Sequence, residues 1–128
     1  MREMTHNILY IEDNEDNMTL VQRALEARGY RLLKAVKGLD GVAAAEKEQV
    51  DLILLDINLP DIDGHEVARR LRSSAKYELR RIPIIAVTAN ALKGDAQKAL
   101  DAGCDVYMSK TINIRELWAR VAAFLETH

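Results

Sequence analysis

Carboxylates stand at the ends of two apolar runs: Ile8-Leu9-Tyr10-Ile11 leads into Glu12-Asp13, and Leu52-Ile53-Leu54-Leu55 leads into Asp56. Two further apolar runs end near groups that can bind an anion's oxygens, the hydroxyl of Thr88 and the ammonium of Lys110. Carboxylates brought close together raise one another's pKa values unless something neutralises them. A hard divalent cation held through one or two of them plus waters does so, which points to Mg²⁺. Hydroxyl and ammonium donors beside such a cation suit phosphoryl transfer. Taken singly, each feature has a plainer reading. Glu12-Asp13 fits a solvated helix start, where the dipole favours negative charge. Lys110 fits a structural salt bridge with Asp56, and Thr88 fits an ordinary strand position. Asp56 is harder to dismiss, because it follows four consecutive apolar residues of a strand covered on both faces. The plain readings also leave the convergence of four strand ends unexplained.

The elements that must position these groups alternate along the chain. Short β-branched runs at 8–11, 30–36, 50–57, 82–88 and 106–108 read as strands, each followed by a helical pattern. Asn14 is a candidate N-cap for a first helix carrying Met18, Val21 and Leu25, which Gly29 ends. A short alanine-rich helix follows near 39–47, and Val67 and Leu71 mark the third. Leu92, Ala96 and Leu100 mark a fourth that closes at Gly103, and Asn113 caps a fifth with Leu117, Val121, Phe124 and Leu125 on one face. Strict alternation implies parallel strands, right-handed crossovers and helices on both faces: a five-stranded doubly wound α/β domain. In the flavodoxin-like order 2-1-3-4-5, the crevice lies beyond the carboxyl ends of strands 1 and 3, where Glu12, Asp13 and Asp56 stand.

Bulk properties narrow the function classes. A length of 128 residues with 48% hydrophobic content suits one domain, expected to span 1–128 with no output domain. Lys and Arg total 18 against 20 for Asp and Glu, and the net charge of −2 argues against direct nucleic-acid binding or attraction to anionic lipid. A lone cysteine, Cys104, rules out an internal disulfide or a thiolate zinc cluster and is expected to pack as a small hydrophobe. The polar N-terminus and the lack of a spanning apolar run lead to the expectation of a soluble, cytoplasmic protein.

Four segments together resemble the receiver domains of bacterial response regulators: Ile11-Glu12-Asp13-Asn14, the run 54–64 from Leu54 through Asp56 to Gly64, Ile85-Ala86-Val87-Thr88-Ala89, and the run 102–110 from Ala102 to Lys110. The resemblance spans the chain in order and spacing. It is nearest to DivK-type stand-alone regulators and hybrid-kinase receivers, through Asp13-Asn14-Glu15-Asp16-Asn17-Met18 and Ala91-Leu92-Lys93-Gly94-Asp95. It implies that Asp56 is the phospho-acceptor and that Asp13, Asp56 and the Asn58 backbone carbonyl hold Mg²⁺, with Glu12 acting through the metal's waters. Thr88 and Lys110 then bind phosphoryl oxygens, and Tyr107 is the aromatic whose rotamer reports phosphorylation. The implied partners are a sensor histidine kinase or histidine phosphotransfer protein, and a downstream protein met by the face of helix 4, strand 5 and helix 5. Such a protein is a phosphorelay component that catalyses only its own phosphorylation and dephosphorylation. Where the family places a proline after the lysine, Lys110 precedes Thr111, so a trans bond is expected there.

Rival readings make different demands. A receiver excised from a hybrid kinase shares every motif. A flavin-binding flavodoxin-like module needs a Gly/Ser/Thr-rich phosphate loop after strand 1, where this chain has Glu12-Asp13-Asn14-Glu15-Asp16. An aspartyl-phosphate phosphatase needs its nucleophile after the first strand with an acid two residues on, whereas Asp56 follows the third and Asn58 stands two beyond. A receiver that docks without phosphorylation would lack site residues that are all present here. His6, His65 and His128 are expected at the surface, as are the charges of Arg69, Arg70, Arg72, Arg80 and Arg81. Trp118 and Phe124 fit a core or interface face of the fifth helix.

Overall fold

The computed structural model describes residues 5–89 and 94–126. Five parallel strands, β1 (Asn7–Ile11), β2 (Arg31–Ala35), β3 (Leu52–Asp56), β4 (Ile84–Thr88) and β5 (Val106–Ser109), form one sheet in the order β2-β1-β3-β4-β5. The helices are α1 (Glu15–Glu26), α2 (Gly38–Lys47), α3 (Gly64–Arg72), α4 (Asp95–Ala102) and α5 (Ile114–Leu125). The expected fold class is therefore found; β2, β3 and β4 are shorter than the apolar runs that mark them, while β1 and β5 each extend one residue beyond theirs. β3 and β4 are buried at every position, as central strands covered on both faces must be, while the edge strands β2 and β5 mix buried and exposed positions.

Side chains alternate across the sheet and build two cores. Leu9, Ile11, Ile53, Leu55, Ile84 and Ala86 meet Ala45 of α2, Val67, Ala68 and Leu71 of α3, and Ala99 and Ala102 of α4. Ile8, Tyr10, Leu52, Leu54, Ile85 and Val87 meet Met18, Val21, Ala24 and Leu25 of α1 and Leu117, Val121 and Leu125 of α5. Trp118 and Phe124 pack against this second core, and Trp118 Nε1 donates to the Ala24 carbonyl at 2.8 Å. Asn14 and Asn113 cap α1 and α5, accepting from the Asn17 and Glu116 N–H groups at 2.8 and 2.9 Å. Gly29, at φ +87°, follows α1 in the left-handed conformation that suits glycine.

Several expectations are corrected by the structure. Leu100 is 36% exposed, and α4 faces the core through Ala96, Ala99 and Ala102; Leu92, like Ala91, Lys93 and His128, lies outside the described residues. A 3₁₀ turn at Tyr77–Arg80, unforeseen in the sequence, leads toward β4. Arg72 is no solvated charge: it donates to the Gly103 and Leu79 carbonyls at 2.9 and 3.1 Å and pairs with Asp105 at 3.0 Å, tying the loops before β4 and β5 together. Arg80 is exposed as expected, while also donating to the Ser74 carbonyl at 3.0 Å. His65 is only 8% exposed among the buried residues of α3, and the carboxylate of the N-cap Asp63 lies 2.8 Å from its Nδ1 and also accepts its backbone N–H. His6 is half-buried with its ring near Tyr30.

The start of α3 is pressed against the end of β3. A Cβ on Gly64 would lie 2.6 Å from Ile57 Cα and 2.7 Å from the Asp56 carbonyl oxygen, both backbone atoms with little room to yield. Gly64→Ala is expected to destabilise the fold by about 1–3 kcal/mol, the usual cost of overpacking, which urea unfolding measures. An unchanged midpoint would show that the α3 start can move.

Candidate functional site

The carboxyl ends of four strands converge. β1 runs out into Glu12 and Asp13, β3 ends on Asp56, β4 on Thr88, and Lys110 follows β5. Glu12, Asp56 and Thr88 are buried, Asp56 at 1% exposure, whereas Asp13 is exposed. Carboxylate oxygens of Glu12, Asp13 and Asp56 all lie within 4.8 Å of one another. Lys110 Nζ stands 3.2 Å from Asp56 Oδ1 and 3.5 Å from Glu12 Oε1, and its backbone N–H donates to the Thr88 carbonyl. Three carboxylates against one ammonium leave two negative charges unmatched, which a divalent cation would balance. The oxygen-only donor set is that of a hard cation, so Mg²⁺ fits the residues present.

Hydrogen bonds divide the burden unequally between the two buried acids. Glu12 Oε1 accepts from the Tyr10 hydroxyl at 2.8 Å, Oε2 accepts from the Asn14 N–H at 3.2 Å, and Asn17 Nδ2 lies 3.5 Å from Oε1. Burial works to raise the Glu12 pKa, but hydrogen bonds from Asp56, Tyr10 and Asn14, with the Lys110 charge, hold it below its ordinary value. Asp56 accepts from the Asn58 N–H at 3.0 Å. Burial, followed by the neighbouring Glu12, pushes its pKa from 3.8 up to about 6. In the metal-free protein Glu12 therefore ionises first, and Asp56 keeps its proton to a higher pH than an ordinary aspartate, about 6.

Thr88 Oγ1 donates to Asp95 Oδ2 at the start of α4, at 3.4 Å. On the adjoining face, Tyr107 of β5 is 39% exposed beside a groove of about 450 Å³ lined by Leu100, Val106, Ser109, Glu116 and Arg120. The Lys110–Thr111 bond is cis, correcting the trans expectation; the preference of an isolated peptide gives way to tertiary contacts that hold Lys110 at Thr88 and Asp56 and bury Ile112. Cys104 is buried with its thiol pushed up to about 12 by that burial, consistent with a packing role. Tyr10 and Asn17 were not foreseen as neighbours of the acids. The available signal was strand alternation, which places Tyr10 on the same side as Glu12 two residues on.

A doubly wound sheet with an acidic crevice at its switch point, a buried aspartate and a lysine reaching it defines a phospho-acceptor class of signalling domain. The chain belongs to the response regulator receiver domain family, whose model matches residues 8–122, and it is a two-component signalling protein. It is 40% identical over 122 residues to the polar-differentiation response regulator DivK of Brucella ovis, covering 95% of this chain and 98% of that protein. The receiver domain of the sensor histidine kinase PA1611 from Pseudomonas aeruginosa PAO1 superposes with a TM-score of 0.88 at 36% identity, covering 97% of this chain and 100% of that one; its structure has a magnesium ion coordinated in the active site cleft. A CheY-like receiver protein from Methanospirillum hungatei JF-1 gives 0.81 at 30% identity, over 94% and 93% of the two chains. Receiver domains interact with histidine kinases or phosphotransfer proteins and with downstream targets. Among the described residues no helix is long and apolar enough to cross a membrane.

The raised Asp56 pKa has a measurable sign. In the unfolded chain its proton leaves near pH 3.8, in the folded metal-free protein near 6, so stability falls as pH rises between those values. Asp56→Asn removes that loss. In chelator at pH 7 it is expected to be more stable than the native protein by about 1–3 kcal/mol, with the gap shrinking toward pH 4. Urea unfolding at the two pH values checks this, and a gap that is absent or grows on acidification counts against it.

Proposed function

We propose that Asp56 takes a phosphoryl group from a phosphohistidine on a sensor histidine kinase or histidine phosphotransfer protein, with Mg²⁺ held by Asp13, Asp56 and the Asn58 backbone carbonyl. The reading is carried by the trio of Glu12, Asp13 and Asp56, whose oxygens lie within 4.8 Å of one another and whose three charges meet one ammonium, that of Lys110. Bound there, the cation supplies positive charge to the carboxylates and to the incoming phosphoryl oxygens. Glu12, engaged by several protein donors, acts through the metal's waters. An Asp56 oxygen attacks phosphorus in line; the new O–P bond forms as the N–P bond to the donor imidazole breaks, and its electron pair stays on the ring nitrogen. Lys110, already 3.2 Å from Asp56, holds a phosphoryl oxygen, and Thr88 turns from Asp95 to hold another. The chain is then a stoichiometric acceptor that promotes its own phosphorylation and dephosphorylation, not a multiple-turnover enzyme on a separate substrate.

Output follows from the same geometry. Drawing Thr88 inward changes its contact with α4, and Tyr107 on the neighbouring strand takes a new rotamer, altering the α4–β5–α5 face that meets a downstream protein. The groove beside Tyr107 supports that assignment. A cytoplasmic setting suits the histidine-kinase partner and the single buried thiol.

Intact mass after treatment with acetyl phosphate and Mg²⁺ tests the acceptor. One added phosphoryl group is expected in the native protein, none after chelation and none in Asp56→Asn; an unchanged stoichiometry in Asp56→Asn would overturn the assignment. Asp13→Asn is expected to weaken Mg²⁺ binding at least about tenfold, which calorimetric titration reads, through loss of a ligand charge. Tyr107→Ala is expected to leave Asp56 phosphorylation intact while weakening capture of the downstream partner, and amide shifts on phosphorylation confined to β1 and β3 would sink the relay.

A further inference from the structure

Tyr10 lies wholly within the core between the sheet and helices α1 and α5, yet its hydroxyl reaches the rim of the site and donates to Glu12 Oε1 at 2.8 Å. Because strand side chains alternate, residues 10 and 12 share a face, and a tyrosine is long enough to span from the core to the carboxylate two residues on. The same Oε1 has Lys110 Nζ and Asn17 Nδ2 at 3.5 Å, while Oε2 accepts the Asn14 N–H. Both oxygens of Glu12 are thus engaged by the protein, and the tyrosine contact is the shortest of the four. Asp13, by contrast, is exposed.

We propose that Tyr10 is a positioning residue that restrains Glu12 from direct metal contact and thereby sets the preference of the site for Mg²⁺ over Ca²⁺; the inference rests on the Mg²⁺ reading above. Mg²⁺ demands a small octahedral shell and retains waters, whereas Ca²⁺ takes six to eight oxygens and profits from an added, flexible or bidentate carboxylate. A Glu12 tied back by Tyr10 keeps the protein's ligand count low, which suits the smaller ion. Released, Glu12 can turn into the coordination sphere and supply the extra oxygens that the larger ion uses. Tyr10 touches neither the metal nor the phosphoryl group and works through the orientation of Glu12, as outer-shell hydrogen bonds do at metal sites generally.

Calorimetric titration of the unphosphorylated protein with MgCl₂ and, separately, CaCl₂ tests this without any activity measurement. Tyr10→Phe keeps the ring and removes only the hydroxyl. It is expected to narrow the ratio of Mg²⁺ to Ca²⁺ affinity about tenfold, the lower end of typical outer-shell effects, chiefly by strengthening Ca²⁺ binding. A purely structural role would weaken both ions by a common factor. Equal changes for the two ions, or no change in either, would overturn the proposal. If Tyr10→Phe shows no cooperative thermal transition, Asn17→Ala removes a donor to the same oxygen from the half-buried face of α1. A ratio shift in the same direction then supports the restraint of Glu12, and an unchanged ratio overturns it. Failure of the native protein to bind Mg²⁺ would instead remove the metal reading itself, which separates the two outcomes.

Discussion

Burying two carboxylates side by side is the constraint on which the rest of the molecule turns. Glu12 and Asp56 sit at the ends of adjacent parallel strands, and desolvation together with mutual repulsion makes their joint ionisation costly. The fold meets that cost with a short list of donors: the Tyr10 hydroxyl, the Asn14 and Asn58 N–H groups, Asn17 Nδ2 and the Lys110 ammonium. What remains is an excess of negative charge facing an open crevice. A hard divalent cation would balance that excess and, in doing so, offset the repulsion of an anionic phosphoryl group.

The scaffold around the site is stiff where the acids must be held. β3 has no exposed position, and α3 begins so close to it that Gly64 leaves no space for a side chain. The loop between β3 and α3 is pinned from the other side, because Asp61 accepts from the Gly38 and Leu39 N–H groups at 2.7 and 2.9 Å and so caps α2 from 22 and 23 residues away. Lys76 does the converse at the far end of α2, donating to the Ala45 and Glu48 carbonyls at 2.9 and 2.8 Å. These contacts belong to the α2–α3 side of the sheet. On the β4–β5 side, Thr88 makes a longer hydrogen bond to Asp95, and Tyr107 stands half in solvent on an edge strand. Rigidity thus accompanies the buried acids, and the looser contacts accompany the proposed output face.

Local chemistry made most of this visible in advance. Five apolar runs alternating with helical stripes specify a doubly wound parallel sheet, because buried strands need continuous apolar runs and crossovers have one hand. Asn14, Asn113, Gly29 and Gly103 act within a few residues of the helix ends they define, so their roles can be read from sequence. Asp56 was legible for a similar reason: a charge ending a run that must be buried demands a partner. Position at a strand's carboxyl end is enough to bring Glu12, Asp13, Thr88 and Lys110 toward it.

What only the tertiary structure decided are pairings between segments far apart in the chain, for which sequence carries no local period or spacing. Arg72 looked like one charge among several on α3, yet it grips carbonyls of Leu79 and Gly103 across up to 31 residues. His65 looked like a surface residue, and it is buried with the packed face of α3, a tertiary outcome even though its polar partner Asp63 is only two residues away. The Lys110–Thr111 bond took the form that an isolated peptide disfavours, because contacts to Thr88 and Asp56 from other strands govern that loop. The division of charge between Glu12 and Asp56 was equally beyond the sequence. Two acids at strand ends look alike in one dimension, and only the donors reaching each in space hold the Glu12 pKa down while that of Asp56 rises.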